Sequence, residues 1–257
     1  MNALEQYIGD LNPSCWLNSD HVNGYGVTQP SINADVNTWV DISGNGNNFV
    51  HEVIPTYNPP KFNNTTMFNA TYPSLEFVVA NKNTLTTVSE TPTVWTDTAT
   101  IVIVCSNHLI NNTEIFSFAN TGVVNGSLSF SGFINRTTIG TYNLNIPYEF
   151  SLFISTVRTP YLAIIKISGE SSLGLSNGRF TSQLINSSYS YGTNNLTNPL
   201  QTPGYTRRIA LGGRRLNSSL YDRLSSTNIH EVIIFPRILP DAETSQVQTY
   251  LKLKYNI

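Results

Sequence analysis

A short segment from Asp41 to Asn47 concentrates oxygen-bearing side chains. Asp41, Asn45 and Asn47 could supply carboxylate and carbonyl oxygens to calcium, a cation that takes such ligands. A tight turn explains the same residues, because Gly44 and Gly46 adopt positive φ freely and Asn tolerates it. Of these three residues only Asp41 is charged, and the segment has no further acidic residue to complete a set of calcium ligands. Both readings are open, and the plain turn is favoured.

Four arginines, Arg207, Arg208, Arg214 and Arg215, surround a short apolar segment. Side chains alternate across a strand, so Arg207 and Arg208 point to opposite faces and only two or three of the four converge. An anionic glycan or a phosphate would suit that cluster, with Arg208 and Arg214 in contact. An edge strand protected by its charges explains the arginines equally and is favoured.

Three tyrosines, Tyr189, Tyr191 and Tyr205, lie in or beside a segment (168–204) rich in Ser, Asn and Gly. Their rings could stack on the faces of sugars, as amphipathic aromatic side chains do at interfaces. The same rings could instead be buried against a neighbouring subunit or against the rest of the domain. The length of the segment indicates a long surface excursion that includes a hairpin.

The acidic residues do not form a catalytic pair. Glu76, Glu114, Glu149 and Glu231 each stand alone in an apolar stretch, whereas glycoside hydrolysis needs two carboxyl groups facing one sugar. None of the four histidines can be placed beside a particular serine from the sequence, and His230 is expected to pack rather than to react. The sequence therefore predicts a protein without enzymatic activity.

Cysteine usage and the first residues bear on the compartment. Cys15 and Cys105 lie in apolar segments and are expected to be free buried thiols rather than a disulfide. The segment Met1–Asp10 has neither the basic nor the apolar stretch of a signal peptide. Four scattered histidines and two cysteines make no metal-binding spacing. The predicted location is a virion, with the cytoplasm or release without a signal peptide as alternatives.

These residues must be positioned mainly by strands. Short apolar runs separated by Gly, Pro, Asn and Ser are typical of a sandwich. The predicted strands are 15–17, 39–41, 75–79, 100–105, 114–119, 128–134, 148–156, 161–167, 208–211 and 230–235. Ile101–Val104 and Ala163–Ile167 are nearly continuous in β-branched residues, so both faces of these strands should be covered. One helix is predicted, from Pro240 to Lys254.

The bulk properties narrow the function classes. The chain has 257 residues, 12% charged residues and a net charge of −2. This balance argues against a nucleic-acid partner, which calls for a basic face, and no stretch reaches the 18 apolar residues of a membrane span. No composition shift marks a linker. We expect an N-terminal extension at 1–11 and a single domain at 12–257.

Three segments resemble laminin-G-like members of the concanavalin A-like lectin and glucanase superfamily. The first is Asn12-Pro-Ser-Cys-Trp-Leu-Asn-Ser-Asp20, similar to the opening strand of that family. The second runs from Trp39 through Asp41, Ser43 and Asn45 to Asn47, similar to its Trp-x-Asp-x-Ser-Gly-Asn-Gly-Asn segment. The third covers 229–257, similar to its closing strand and terminal helix. The resemblance implies an all-β, two-sheet antiparallel jelly-roll sandwich with a short C-terminal helix.

The resemblance also shapes the functional expectation. The glucanase branch carries paired acids as Glu-x-Asp-x-x-Glu on one strand, a pattern that this sequence lacks. We expect a viral member of the family: a virion surface or capsid-associated structural protein, with other virion proteins and its own copies as partners and host glycans as a further ligand. A soluble carbohydrate-binding lectin is the alternative, and a divergent glycosidase is disfavoured. No cofactor is predicted apart from the calcium considered above.

Overall fold

The computed structural model describes residues 2–67, 69–88, 98–109, 113–120, 127–133, 136–143, 146–152, 161–168, 178–184, 190–196, 207–217, 220–222 and 224–256. Within these ranges the chain forms two α-helices and eighteen strands. The helices are α1 (Ala3–Asp10) and α2 (Asp241–Tyr255). The strands are β1 (Cys15–Asn18), β2 (Thr38–Trp39), β3 (Phe49–Val50), β4 (Lys61–Met67), β5 (Ala70–Phe77), β6 (Leu85–Thr87), β7 (Thr98–Leu109), β8 (Thr113–Asn120), β9 (Ser127–Phe133), β10 (Arg136–Asn143), β11 (Ile146–Leu152), β12 (Tyr161–Ser168), β13 (Gly178–Leu184), β14 (Ser190–Leu196), β15 (Arg207–Leu211), β16 (Arg214–Asn217), β17 (Leu220–Asp222) and β18 (Ser226–Phe235).

Two antiparallel sheets make up the sandwich. The first sheet has the order β14-β13-β12-β7-β18-β5-β4, with β1 paired to β18. The second sheet has the order β11-β10-β9-β8-β15-β6-β3-β2, and β16 and β17 form a separate hairpin. In the middle of both sheets, neighbouring strands come from distant parts of the chain, as in a jelly roll: β12, β7, β18 and β5 in the first sheet and β8, β15 and β6 in the second. The predicted fold class, a two-sheet antiparallel jelly-roll sandwich, is confirmed.

The main hydrophobic core lies between the two sheets. Ile103 and Ile234 from the first sheet and Trp39, Phe49 and Leu211 from the second belong to it, and all five are fully buried. Burial of aromatic and β-branched side chains on facing sheets is the dominant stabilising contribution in such a sandwich. This core fixes the relative position of the two sheets.

A second core covers the outer face of the first sheet. Val102 and Ile164, which point away from the main core, pack there with Ile8 of α1 and with Tyr250 and Leu251 of α2. The central strands β7 and β12 are therefore buried on both faces where their side chains are described. The prediction of two doubly covered strands is confirmed.

The helix α1 was not predicted. The residues expected to form an extension instead begin a helix that Asn2 caps: Asn2 Oδ1 accepts from the Glu5 backbone N–H at 2.8 Å, and Glu5 Oε2 accepts from the Asn2 backbone N–H at 3.0 Å. Ile8 and Leu11 anchor the helix in the second core. A reciprocal capping box and two apolar contacts stabilise this helix of eight residues. A helix this short has too few turns to show the apolar periodicity that predicts longer helices.

One further expectation needs correction. β15, predicted as an edge strand protected by charge, is an interior strand between β8 and β6. Long-range pairing, which composition does not encode, decided the position of this strand. The hairpin expected in the segment from 168 to 204 is present: β13 and β14 pair with each other, and β13 also pairs with β12, so the hairpin extends the first sheet at its edge.

The cysteines are free and buried, as predicted. Burial raises the pKa of the Cys15 thiol well above its ordinary value, and the nearby charge of Asp41 adds to this effect. The Cys15 thiol lies 3.7 Å from the carbonyl oxygen of Asn47. None of the helices in the described part of the chain is long and apolar enough to cross a membrane.

Candidate functional site

The turn that follows β2 is organised by Asp41. Its buried carboxylate accepts three backbone hydrogen bonds: Oδ1 from the N–H of Trp16 at 2.8 Å and of Ser43 at 2.9 Å, and Oδ2 from the N–H of Asn47 at 2.9 Å. Hydrogen bonds to an ionised group are among the stronger ones in proteins. Asp41 therefore joins the turn to strand β1.

The amide side chains complete the attachment of the turn. Asn45 Nδ2 donates to the Pro13 carbonyl at 2.9 Å, and Asn47 Nδ2 donates to the Ser14 carbonyl at 2.7 Å. Gly44 and Gly46 adopt φ values of +89° and +73°, which the sequence predicted for this turn. Asn45 and Asn47 thus direct amide nitrogens at carbonyls, and Asp41 is engaged by N–H donors. This arrangement favours the plain turn over calcium.

A cleft of about 760 Å³ lies between this turn and the C-terminal end of α1. Its polar side chains come from two sides: Gln6, Asp10 and Asn12 from the helix and its end, and Ser43 and Asn45 from the turn. The remaining lining residues are mostly apolar, namely Gly9, Pro13, Ser14, Trp16, Ile42 and Pro236. A concave site with several converging polar groups, above buried residues such as Trp16 and Ile42, suits a small polar ligand.

Behind the cleft, Trp16 connects the floor to a buried carboxylate. Trp16 is fully buried and packs edge-on against Tyr250 of α2, with ring centroids 6.1 Å apart. Its indole Nε1 donates to Glu231 Oε1 on β18 at 2.7 Å. The position of the floor therefore depends on a charged group inside the second core.

Glu231 is fully buried and accepts four side-chain hydrogen bonds. Besides Trp16, Oε1 accepts from the Tyr250 hydroxyl at 2.6 Å. Oε2 accepts from the Tyr255 hydroxyl at 2.9 Å and from Lys254 Nζ at 3.0 Å. A buried carboxylate persists only where such partners replace water. Glu231 thus fastens α2 to the first sheet.

The titration behaviour of the partners follows from this burial. Burial raises the pKa values of Tyr250 and Tyr255 well above their ordinary range, and the charge of Glu231 raises them further, so both hydroxyls stay protonated donors. Burial alone would lower the pKa of Lys254, but the charges of Glu231 and Asp20 together raise it. Lys254 Nζ also lies 3.1 Å from Asp20 Oδ2. The lysine therefore stays charged near neutral pH.

A histidine and a serine form a second buried pair. His230 Nδ1 lies 2.7 Å from the Pro73 carbonyl oxygen, and Nε2 lies 2.7 Å from Ser106 Oγ. A carbonyl only accepts, so Nδ1 donates to Pro73 and Nε2 accepts from the serine hydroxyl. Such a contact can activate a serine nucleophile. However, burial lowers the pKa of His230 to about 4, and neither residue lines the cleft. The predicted packing role of His230 is confirmed.

Of the residues predicted to bind ligand, those that the structure describes are absent from the lining of this cleft. Tyr189 and Tyr205 lie outside the described residues. Tyr191 lies on β14, and four strands separate β14 from β1, which corresponds to about 24 Å at the usual strand spacing. Arg208 lies on β15 of the other sheet, where it forms an ion pair with Glu52, and Arg214 lies on β16. The sequence predictions at these positions stay predictions.

The sequence reasoning missed the cleft residues Gln6 and Asp10 and the supporting role of Glu231. A signal existed for Glu231, because it directly precedes the apolar run Val232 to Phe235 in a predicted strand, and a charge at such a position needs buried partners. The cleft residues gave no such signal, since they come together only through the packing of α1 on the sandwich.

Comparison with known proteins identifies the fold. No protein-family model matches the chain, and no curated protein matches it in sequence. Among solved structures, an arabinofuranosidase in complex with arabinofuranosyl-α-1,2-xylobiose is similar, with a TM-score of 0.59, 12% identity and coverage of 86% of this chain and 51% of that one. A receptor-binding domain is also similar, with a TM-score of 0.54, 12% identity and coverage of 96% and 53%. The chain spans about half the length of each, and the likeness shows a shared sandwich fold.

Proposed function

We propose that this chain is a non-catalytic carbohydrate-binding module and that its ligand lies in the cleft between α1 and the 41–47 turn. The observation that carries the proposal is the lining of that cleft. Polar atoms make up the larger share of its exposed lining, among them the amide, hydroxyl and carboxylate side chains of Gln6, Asp10, Ser43 and Asn45. Sugars present many hydroxyl groups, and such side chains can donate hydrogen bonds to them and accept hydrogen bonds from them.

The similar structures are consistent with this proposal. One of them is an arabinofuranosidase in complex with an arabinose-containing oligosaccharide, and another is a receptor-binding domain. The sandwich fold that this chain shares makes up about half of each of these proteins. For the present chain, these examples make a glycan a reasonable class of ligand to test first, while the cleft itself supplies the chemical argument.

The lack of paired acids supports a binding role rather than hydrolysis. Asp10 is the one carboxylate among the residues that line the cleft, whereas glycoside hydrolysis requires two. Glu231 lies behind the floor, fully buried and engaged by four donors, so a substrate cannot reach it. Within the described residues, the cleft therefore offers recognition without an acid and base pair.

A glycan array with the wild-type protein tests the proposal. Saturable binding to a defined sugar is expected. Gln6→Ala and Asn45→Ala should each weaken that binding by on the order of tenfold, the effect of losing about one good hydrogen bond. Asn64→Ala, which removes an exposed amide on β4 away from the cleft, is the matched control. A blank array, or cleft variants that bind as well as the wild type, would contradict the proposal.

A finer proposal concerns where such a module acts. We retain the sequence-based prediction of a laminin-G-like, homo-oligomeric protein on a virion, supported by the low charged fraction of 12%, which suits a densely packed assembly. Mass spectrometry of particles purified by density from the native source should detect the chain at constant stoichiometry. Its recovery only in the soluble fraction would instead favour the alternative of a free lectin.

A further inference from the structure

The charge of the cleft narrows the ligand class, in an inference that rests on the proposed function. Asp10 is exposed at the mouth of the cleft, and the lining residues include no Lys, Arg or His. Gln6 Nε2 donates to Asp10 Oδ1 at 2.7 Å, and none of the described side chains donates to Oδ2. One carboxylate oxygen is therefore available to a ligand.

The helix α1 adds negative potential at the same place. Its last turn contains no basic residue and ends at Asp10, and Asn12 beyond it adopts a φ of +54°. The C-terminal end of a helix carries a partial negative charge, so cations normally stabilise it and an acid there is unfavourable. Asp10 is an acid at a helix end that favours cations, so it lowers the stability of the helix. A residue that lowers stability locally is a candidate for a functional role.

The nearest described cation does not cancel this potential. Arg237 Nη2 donates to the Leu11 carbonyl at 3.2 Å, close to the helix end, but its Nη1 forms an ion pair with Glu243. The positive charge of Arg237 is thus balanced by an acid of α2. The negative charge of Asp10 and the partial negative charge of the helix end therefore make the electrostatic potential at this side of the cleft negative.

We propose that the cleft prefers a sugar that carries an ammonium group, binds the corresponding neutral sugar more weakly, and rejects acidic sugars. The ammonium group would lie at Asp10 Oδ2, where a charge-assisted hydrogen bond is available. A uronic or sialic acid would place its carboxylate against Asp10 and the negative helix end. The polar groups of Gln6, Ser43 and Asn45 would contact ring hydroxyls in all three classes.

Three probes of equal length test this preference: a glucosamine oligomer, its N-acetylated counterpart and a uronic acid oligomer. In calorimetric titration the glucosamine oligomer should bind about two- to fivefold more tightly than its N-acetylated counterpart, the size expected of one exposed charge pair in water. The preference should shrink as salt is added, because exposed charges are screened. The uronic acid oligomer should not bind.

Asp10→Asn is the decisive variant, since it keeps the shape and removes the charge. The ammonium and neutral probes should then bind equally, while the melting temperature stays the same or rises slightly because an unfavourable charge leaves the helix end. Asp35→Asn, at an exposed ion pair with Lys61 outside the cleft, is the control and should keep the preference.

The outcomes separate this inference from the proposed function. Equal binding of ammonium and neutral probes to the wild type, tighter binding of the acidic probe, or no binding of any of the three would each overturn the charge preference. The proposed carbohydrate site would still be tested by the glycan array and by the Gln6 and Asn45 variants, because the results of those experiments do not depend on the charge of the ligand.

Discussion

The indole N–H of Trp16 donates to the carboxylate of Glu231 over 2.7 Å, and the two residues lie on adjacent antiparallel strands two positions apart in register. Trp16 pairs directly with Ile233, so Glu231 is its diagonal neighbour on the same face of the sheet. This hydrogen bond therefore connects Trp16, which lines the cleft, to the carboxylate that holds α2 against the first sheet. A substitution at Glu231 should alter both the cleft and the packing of α2.

Glu231→Gln should destabilise the protein by about 3 to 5 kcal/mol, because the new amide nitrogen would face donors that now bond the carboxylate and Lys254 would keep only the partly exposed Asp20 as a counter-charge. Urea unfolding monitored by tryptophan fluorescence measures this loss. Glu76→Gln is the matched control on the same sheet, since Glu76 is half-buried and accepts from the Asn63 amide, and it should cost less than about 1 kcal/mol. Equal losses for the two variants would argue against the role given to Glu231.

The ion pair can be isolated with a double-mutant cycle. Lys254→Met alone should also destabilise the protein, because the carboxylate of Glu231 then keeps its charge without a cation. The double variant Glu231→Gln with Lys254→Met should cost clearly less than the sum of the two, by about 1 to 3 kcal/mol. Strict additivity in the unfolding free energies would show that the two side chains do not interact.

Stability should fall as the pH drops from 6.5 to 4, through His230. Its pKa is about 4 in the folded protein against an ordinary value of 6.5, so in this window the unfolded chain binds a proton that the folded protein excludes. The loss should reach about 3 kcal/mol. His230→Gln should flatten this slope in unfolding free energies measured at pH 7, 5.5 and 4.5. A slope in His230→Gln equal to that of the wild type would disprove the assignment.

Removal of divalent metal should leave the turn intact. The Asp41 carboxylate already accepts three backbone N–H groups, so EDTA should not shift the melting temperature. Asp41→Asn, by contrast, should cost about 2 to 3 kcal/mol, because an amide nitrogen would face a backbone donor. A thermal shift with and without EDTA and millimolar calcium checks the first part. A clear rise in melting temperature with calcium would restore the metal site.

Two glycines with positive φ should respond differently to alanine. At Gly212 (φ +79°) a Cβ atom would lie 2.3 Å from Phe77 Cδ1 and 2.7 Å from the Asn83 carbonyl oxygen, whereas at Gly44 (φ +89°) nothing lies within 4 Å. Gly44→Ala should cost about 1 kcal/mol from backbone strain alone. Gly212→Ala adds a steric clash in the core and should cost about 3 kcal/mol or more. Comparable melting temperatures for the two variants would refute the packing around Gly212.

The sequence predicted the parts of the fold that local patterns encode. The apolar runs of β7, β12 and β18 and the turn at Gly44 and Gly46 were located because burial and positive φ restrict which residues fit. Short strands such as β2 and β3, with two residues each, offer no period to detect. Strand order also stayed hidden, which is why β15 was mistaken for an edge.

The candidate site was predictable only in part. Asp41 and Asn45 attracted attention through their side-chain chemistry, but the cleft needs the turn to meet the end of a helix about thirty residues earlier in the chain, as the contact of Asn45 with Pro13 shows. That meeting depends on the capping of α1 and on the packing of Ile8 and Leu11. Such long-range contacts result from the whole topology, and the local sequence around Gln6 and Asp10 does not predict them.

The pairing of β1 with β18 has a consequence for the way in which the chain acquires its structure. Strand β1 forms hydrogen bonds with a partner more than two hundred residues further along, at Glu231 to Ile234. During synthesis β1 therefore has no partner until β18 has emerged from the ribosome, and Trp16 stays exposed to solvent for most of translation. Contacts of this sequence separation form slowly and leave aggregation-prone intermediates. Expression yield should thus depend on elongation speed and chaperone supply more than the stability of the finished sandwich would suggest.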